Sequence, residues 1–265
     1  MKVEPGHPPK DSWSSDGPFR VTVERFSLTD LKGLFEGSIR VLRVRHFVNI
    51  DFCVLLAQRV SASAEFVQDG SLRRIGRPYS EVRHSEDARV SYFRHQEEWV
   101  GLLRTIAAPY LSPFDRLRLE LDDLWPSGAL RAAASGNKLF AGMIRSFPEG
   151  AHSLPHVDLP SVAGVCRQFA ANIYIETANK GGVLQVWCER TDPLIYELYA
   201  DEFGSIRRYV EGRLPDLEFT PEAGDLVMFD ASLIHSVTPV AAGSRVSWSA
   251  FIGFQESAAP LLIWS

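Results

Sequence analysis

His156, Asp158, His235 and Arg245 are the residues of this chain whose types and order carry chemistry. Two imidazoles and one carboxylate in the order His-x-Asp…His can occupy one face of an octahedral Fe(II) ion, leaving the opposite positions open. The metal and one carboxylate together keep a single positive charge, which favours an anionic chelator. Arg245, ten residues after the second histidine, supplies a planar fork that stays charged and binds a carboxylate bidentately. It stands where an iron-chelating 2-oxo acid would need a cation.

The tripeptide alone is a weak signal, because His-x-carboxylate occurs at His84-Ser85-Glu86, His95-Gln96-Glu97 and His156-Val157-Asp158. On a strand, residues i and i+2 face the same way and can grip one ion. On a helix they diverge by about 200°. His95 stands at the start of a helical pattern, and His84 lies in a polar stretch rich in turn residues. His156 follows Gly150 and Pro155 at the edge of a β-rich half. The ordinary alternative there is a surface histidine beside a surface aspartate.

The elements that must hold these residues fall into two textures. Residues 1–18 are rich in Pro, Gly, Ser and charge and read as a mobile tail. Residues 19–136 form a helical support and 137–265 a β-rich core, within one domain spanning 19–265. In the support, Ile39–Val48 alternates like a strand, and Asn49 caps a helix from Ile50 to about Ser61. Residues 66–90 resemble a long connection or lid with weak order, with short strands as an alternative. One helix follows from about Gln96 to Ala108. Another runs to about Leu124, with Ser112 as N-cap and Pro113 at its first position. After Gly136, strands are expected over Leu139–Phe147, Gln168–Glu176, Val183–Cys188, Asp225–Phe229, Ile234–Val240 and Val246–Phe254. Many short strands between turn signals indicate a sandwich or barrel. Pro193–Arg213 is expected to carry a short helix across the mouth.

Composition narrows the class of partner. The chain has 265 residues, 45% hydrophobic and 23% charged, and a formal net charge of -5. Nothing there suggests nucleic acid or an anionic membrane. The longest apolar runs are too short to span a bilayer. Cys53, Cys166 and Cys188 have no metal-type spacing and suit a reducing compartment, so a cytoplasmic location is expected.

Four stretches together resemble the Fe(II)/2-oxoglutarate-dependent dioxygenases over roughly Met143 to Phe254. They are Ile144–Gly150 with His156-Val157-Asp158, Asn172–Ile175 with Gly181–Leu184, Pro221–Phe229, and His235 through Arg245-Val246-Ser247. The resemblance implies a double-stranded β-helix (a jelly roll, cupin-like) with N-terminal helices packed outside, here residues 19–136, the part that usually varies among such enzymes. It implies Fe(II) on His156, Asp158 and His235, with 2-oxoglutarate and O2 as co-substrates. The distal carboxylate of 2-oxoglutarate would rest on Arg245 and Ser247. In related halogenases a Gly or Ala replaces the aspartate, so Asp158 disfavours halogenation.

Other residues keep two readings each. Asn172 and Tyr174 share a strand face and either approach the co-substrate or belong to an ordinary core strand. Arg145 either meets an anionic group of the substrate or is solvated. His152 is a neighbour of the site or a loop residue. Trp187 and Trp248 wall the substrate pocket or pack in the core. Gly181–Trp187 and the ending Pro260–Ser265 resemble the branch of hydroxylases and halogenases acting on small metabolites, free amino acids among them. The expected reaction is hydroxylation of an unactivated C–H in an amino-acid-like or natural-product molecule. No nucleic-acid or membrane partner is expected. Desaturation, cyclisation or dealkylation at the same iron is one rival. A non-catalytic jelly-roll protein that binds a metal or ligand is another.

Overall fold

The computed structural model describes residues 20–191, 193–202 and 204–265. The tail expected over residues 1–18 lies outside them. Strand β1 (Arg20–Val23), helix α1 (Leu28–Glu36) and strand β2 (Val41–Val44) form a parallel β-α-β unit. The strand expected over Ile39–Val48 is thus confined to its buried centre. Helix α2 (Ile50–Ser61) starts where Asn49 accepts a hydrogen bond from the Asp51 amide. A hairpin of β3 (Val67–Asp69) and β4 (Leu72–Ile75) follows. Helix α3 (Glu86–Ala107) and helix α4 (Pro113–Leu124) are capped by Ser85 and Ser112, each accepting from an amide three residues on. The support ends with β5 (Ala129–Arg131) and the small hairpin β6 (Ala133–Ala134) and β7 (Asn137–Lys138).

The β-rich half opens with β8 (Met143–Phe147), β9 (Ser153–His156) and β10 (Arg167–Glu176). Then come β11 (Lys180–Gly181), β12 (Leu184–Arg190), α5 (Pro193–Tyr199) and α6 (Arg207–Val210). It closes with β13 (Leu217–Phe219), β14 (Leu226–Asp230), β15 (Leu233–Val237), β16 (Val240–Ala242), β17 (Arg245–Phe254) and β18 (Leu261–Trp264). The major sheet runs β1-β2-β14-β10-β17-β8-β4-β3, and β18 continues the β17 edge to β5. The minor sheet runs β13-β12-β15-β9. These two sheets make the jelly roll.

Two cores hold it. Between the sheets pack Val41, Tyr174, Leu184, Val186, Val227 and Phe229. On the outer face of the major sheet, α2 lies against β10 and α4 against β17. Leu56, Leu117, Leu121, Ile173 and Trp248 fill that layer. Each large apolar side chain fully buried there contributes roughly 1.5–3 kcal/mol.

Two expectations are corrected. Residues 66–90 are not a lid, because β4 pairs with β8 and extends the major sheet, and the segment ends in the first turns of α3. Arg74 carries its charge into this edge by pairing with Asp69 and Glu81. Helix α3 also begins ten residues before the expected start at Gln96. Its first turns are exposed and charged, so they lack the apolar period that marks a helix.

Gly224 ties the support to the barrel. Its φ is +95°, and an added Cβ would lie 2.4 Å from the Val48 carbonyl oxygen. Its own carbonyl accepts the Val48 amide at 2.9 Å. Gly224→Ala should therefore destabilise the protein by roughly 1–3 kcal/mol, read as a lower thermal midpoint. An unchanged midpoint would mean that the turn relaxes without cost.

Candidate active site

A cavity of about 220 Å³ opens between the two sheets. The pairing of the minor sheet sets its metal-binding wall. His156 on β9 and His235 on β15 are cross-strand partners, with ring centroids 4.2 Å apart. Asp158 lies just beyond β9. Its amide donates to the Ala231 carbonyl at 2.9 Å, and Gln168 donates to its own carbonyl at 3.1 Å. These backbone contacts turn the carboxylate back toward the imidazoles. One ligand atom from each of His156, Asp158 and His235 lies within 4.8 Å of the others.

Both imidazoles are held alike. Nδ1 of His156 lies 2.7 Å from the Leu154 carbonyl, and Nδ1 of His235 lies 2.9 Å from the Leu233 carbonyl. A carbonyl only accepts, so each Nδ1 carries the hydrogen and each Nε2 offers its lone pair to an ion. Burial, then the neighbouring charge of His235, push the His156 imidazole down to about 4. Burial would raise Asp158. The positive groups around it, Arg145 and the imidazoles whenever they are protonated, outweigh it and hold the carboxylate well below its usual range. With both Nδ1 atoms on carbonyls, the set offers two imidazole Nε2 atoms and one carboxylate, which fits a divalent ion.

The shift of His156 predicts acid sensitivity of the metal-free protein. The unfolded imidazole takes a proton near 6.5, the folded one only near 4. As pH falls through that interval the unfolded state binds the proton first, so stability drops. A His156→Gln variant should show a smaller drop in thermal midpoint across the same interval. An equal drop would assign the acid sensitivity to another group.

The opposite wall is the inner face of the major sheet. Arg245 is 4% exposed. Its guanidinium lies 4.9 Å from the Phe147 ring centroid and 5.0 Å from that of Tyr174. It donates to the Tyr174 hydroxyl at 3.1 Å. Its Nε has no partner, and no carboxylate within the described residues pairs with it. Burial raises the Tyr174 phenol, which therefore keeps its proton and can donate it. A buried, preoriented cation with an unused donor and a phenol beside it fits the far carboxylate of a bound dicarboxylate.

Ser247 and Ser249 follow on the same face of β17, with hydroxyls 3.3 Å apart. Ser249 donates to Asn172 Oδ1 at 2.8 Å, which leaves the Asn172 amide hydrogens for the cavity. Arg145, on β8, also lines the cavity.

Three expected pocket residues lie elsewhere. Trp248 sits between Ser247 and Ser249, so strand alternation turns it outward into the helical layer. Trp187 follows the inward Val186 and packs outside the minor sheet with Val157, Ile206 and Val210. His152 is a loop residue whose Nδ1 approaches the Gly150 carbonyl at 3.3 Å. Nor do α5 and α6 cross the mouth. Ile206 donates to the Pro155 carbonyl at 2.8 Å, which docks this segment on the outside of β9. The competing tripeptides form no metal group among the described residues, and His95 lies within α3. Phe147 and Ser249 were missed, although each stands two residues from an expected inward residue on its strand. Leu72 and Met143 also line the cavity. They carried no chemical signal.

Residues 142–253 match the model of the 2OG-Fe(II) oxygenase superfamily. A curated relative, L-gamma-glutamyl-L-propargylglycine hydroxylase of Streptantibioticus cattleyicolor, is 29% identical over 187 residues. The match covers 64% of this chain and 63% of the relative. The fold is similar to a crystal structure of an N-substituted L-amino acid dioxygenase from Burkholderia ambifaria AMMD, at TM-score 0.61 and 14% identity. That similarity covers 90% of this chain and 91% of the other. A second structure of an N-substituted L-amino acid dioxygenase from the same organism, in complex with alpha-KG, gives TM-score 0.57 at the same identity and coverage. Over residues 142–253 the chain resembles the 2OG-Fe(II) oxygenase superfamily. Fe(II) and 2-oxoglutarate are the metal and co-substrate of that superfamily, and the residues in the cavity fit both. No described helix is long and apolar enough to cross a membrane.

Proposed function

We propose that this protein is an Fe(II)- and 2-oxoglutarate-dependent hydroxylase of a small, amino-acid-like molecule. One observation carries the reading. A single cavity holds the His156–Asp158–His235 donor set and the buried guanidinium of Arg245, which no carboxylate among the described residues neutralises. A metal alone explains the first, and only a ligand reaching from one to the other explains both.

His156, Asp158 and His235 would hold the iron, and Arg245, with Tyr174 and Ser247 beside it, the far carboxylate of 2-oxoglutarate. Bound there, the iron supplies the activation of O2. Overall, 2-oxoglutarate, O2 and a substrate C–H become succinate, CO2 and C–OH, with one oxygen atom in succinate and one in the alcohol. The chain's share is positioning. The Leu154 and Leu233 carbonyls orient the imidazoles. Asn172 turns amide hydrogens toward the near end of the co-substrate. Met143, Phe147, Leu184 and Phe229 supply apolar lining to the cavity. The amino-acid-like substrate is supported by the name of the curated relative and by the size of the cavity.

The test is turnover. Iron-loaded protein incubated with free amino acids, N-acetyl amino acids and γ-glutamyl dipeptides should release succinate with a substrate gaining one oxygen atom. Metal loading without any effect of 2-oxoglutarate would favour a non-catalytic binding protein. Asp158→Gly should abolish hydroxylation, because it removes the anionic ligand. Full activity in that variant would exclude Asp158 as a ligand.

A further inference from the structure

Arg145 is a second cation in the same cavity whose charge the proposed iron and co-substrate leave unmatched. It stands on β8, opposite Ser247 of β17 and Arg74 of β4. Its strand neighbours two residues away, Met143 and Phe147, also line the cavity, so its side chain shares their inward face. Among the described residues no hydrogen bond or ion pair reaches its guanidinium. Arg74 beside it is different, because Asp69 and Glu81 neutralise it. The strongest charge acting on Arg145 is that of Asp158.

Charge accounting shows what is missing, and it rests on the proposed function. The iron and Asp158 leave one positive charge. A 2-oxoglutarate dianion and Arg245 bring the total to zero. Arg145 then remains as one positive charge, half-buried and without a partner. A substrate that displaces water from this cation costs free energy unless it brings an anion. A carboxylate meets its fork bidentately and carries the one negative charge required. A phosphate dianion would overshoot.

We infer that Arg145 is the substrate anchor and that the substrate of this protein bears its own free carboxylate. The enzyme would thus select small monocarboxylic acids over the matching amides. The carboxylate would lie beside the metal, on the β8 wall, apart from the pocket of Arg245.

The experiment uses full-length protein loaded anaerobically with Fe(II) and 2-oxoglutarate, which should give a weak visible charge-transfer band. Free L-amino acids, N-acetyl-L-amino acids, γ-L-glutamyl dipeptides and the primary carboxamides of each are titrated in. At least one acid should perturb the band, and its carboxamide should not. In Arg145→Gln the band should form at an unchanged 2-oxoglutarate concentration. The effective acid should bind at least about 30-fold more weakly, the scale for removing one partner of a desolvated ion pair. Arg145→Lys should recover part of that loss. If Arg145→Gln weakens 2-oxoglutarate instead of the acid, Arg145 holds the chelating end of the co-substrate and the inference is overturned. It is overturned equally if amides match acids or if no acid perturbs the band. Failure of the band itself in the unaltered protein would instead defeat the proposed function.

Discussion

Arg245→Ala should raise the 2-oxoglutarate concentration needed for half-saturation by at least about 30-fold while metal content stays near that of the unaltered protein. The figure is the low end of the roughly 2–5 kcal/mol lost on truncating one partner of a buried charged pair. The structure gives reasons to expect more. The guanidinium is already held between Phe147 and Tyr174, so little ordering is needed when the carboxylate arrives. Its unused Nε is buried, so water is a poor substitute for the ligand. Arg245→Lys should recover only part of the affinity, because an ammonium lacks the fork. Anaerobic titration of the charge-transfer band, with metal analysis of each variant, checks this. Unchanged 2-oxoglutarate dependence would move the anchor to another residue.

Loss of both histidines should be more drastic. The His156→Ala, His235→Ala double variant should retain no stoichiometric Fe(II) after dialysis. The loss should go well beyond the roughly 10–100-fold that removal of an outer-shell partner costs. The unaltered protein should also gain stability on metal addition, by about 2.7 kcal/mol at a free metal concentration a hundred times the dissociation constant. The double variant should gain none. A metal-induced rise in its thermal midpoint would show that the ion binds elsewhere.

How much of this was legible in the sequence depended on how local the signal was. The starts of α2 and α4 were readable because Asn49, and Ser112 with Pro113, are capping chemistry written next to the helix they start. Pattern located β10, β14 and β17 to within about two residues, because β10 and β17 carry an apolar face and β14 is apolar on both. The start of α3 was hidden by its solvated first turns. Short strands were allowed within 66–90, but β4 could not be placed, because its arginines resemble a loop until Asp69 and Glu81 are brought to them by the fold. The site residues separate in the same way. His156, Asp158, His235 and Arg245 were picked out by residue type and order. The outward turn of Trp248 was available from the alternation of β17 once Arg245 was taken as inward. The position of Trp187 was not, because it depends on the pairing of Val186 with His235 across two strands.

The alternation of β17 also bears on how such a protein can diversify. Arg245, Ser247 and Ser249 face the cavity, while Val246 and Trp248 face the helices. A single codon inserted within this strand would exchange the two sets beyond it, burying serines against the helices and driving an indole into the space where the co-substrate is expected. New specificity along this strand is therefore open to replacement of one side chain at a time and closed to changes in length. Length variation can accumulate instead between β12 and β13, where 26 residues separate the strands and none of those described lines the cavity.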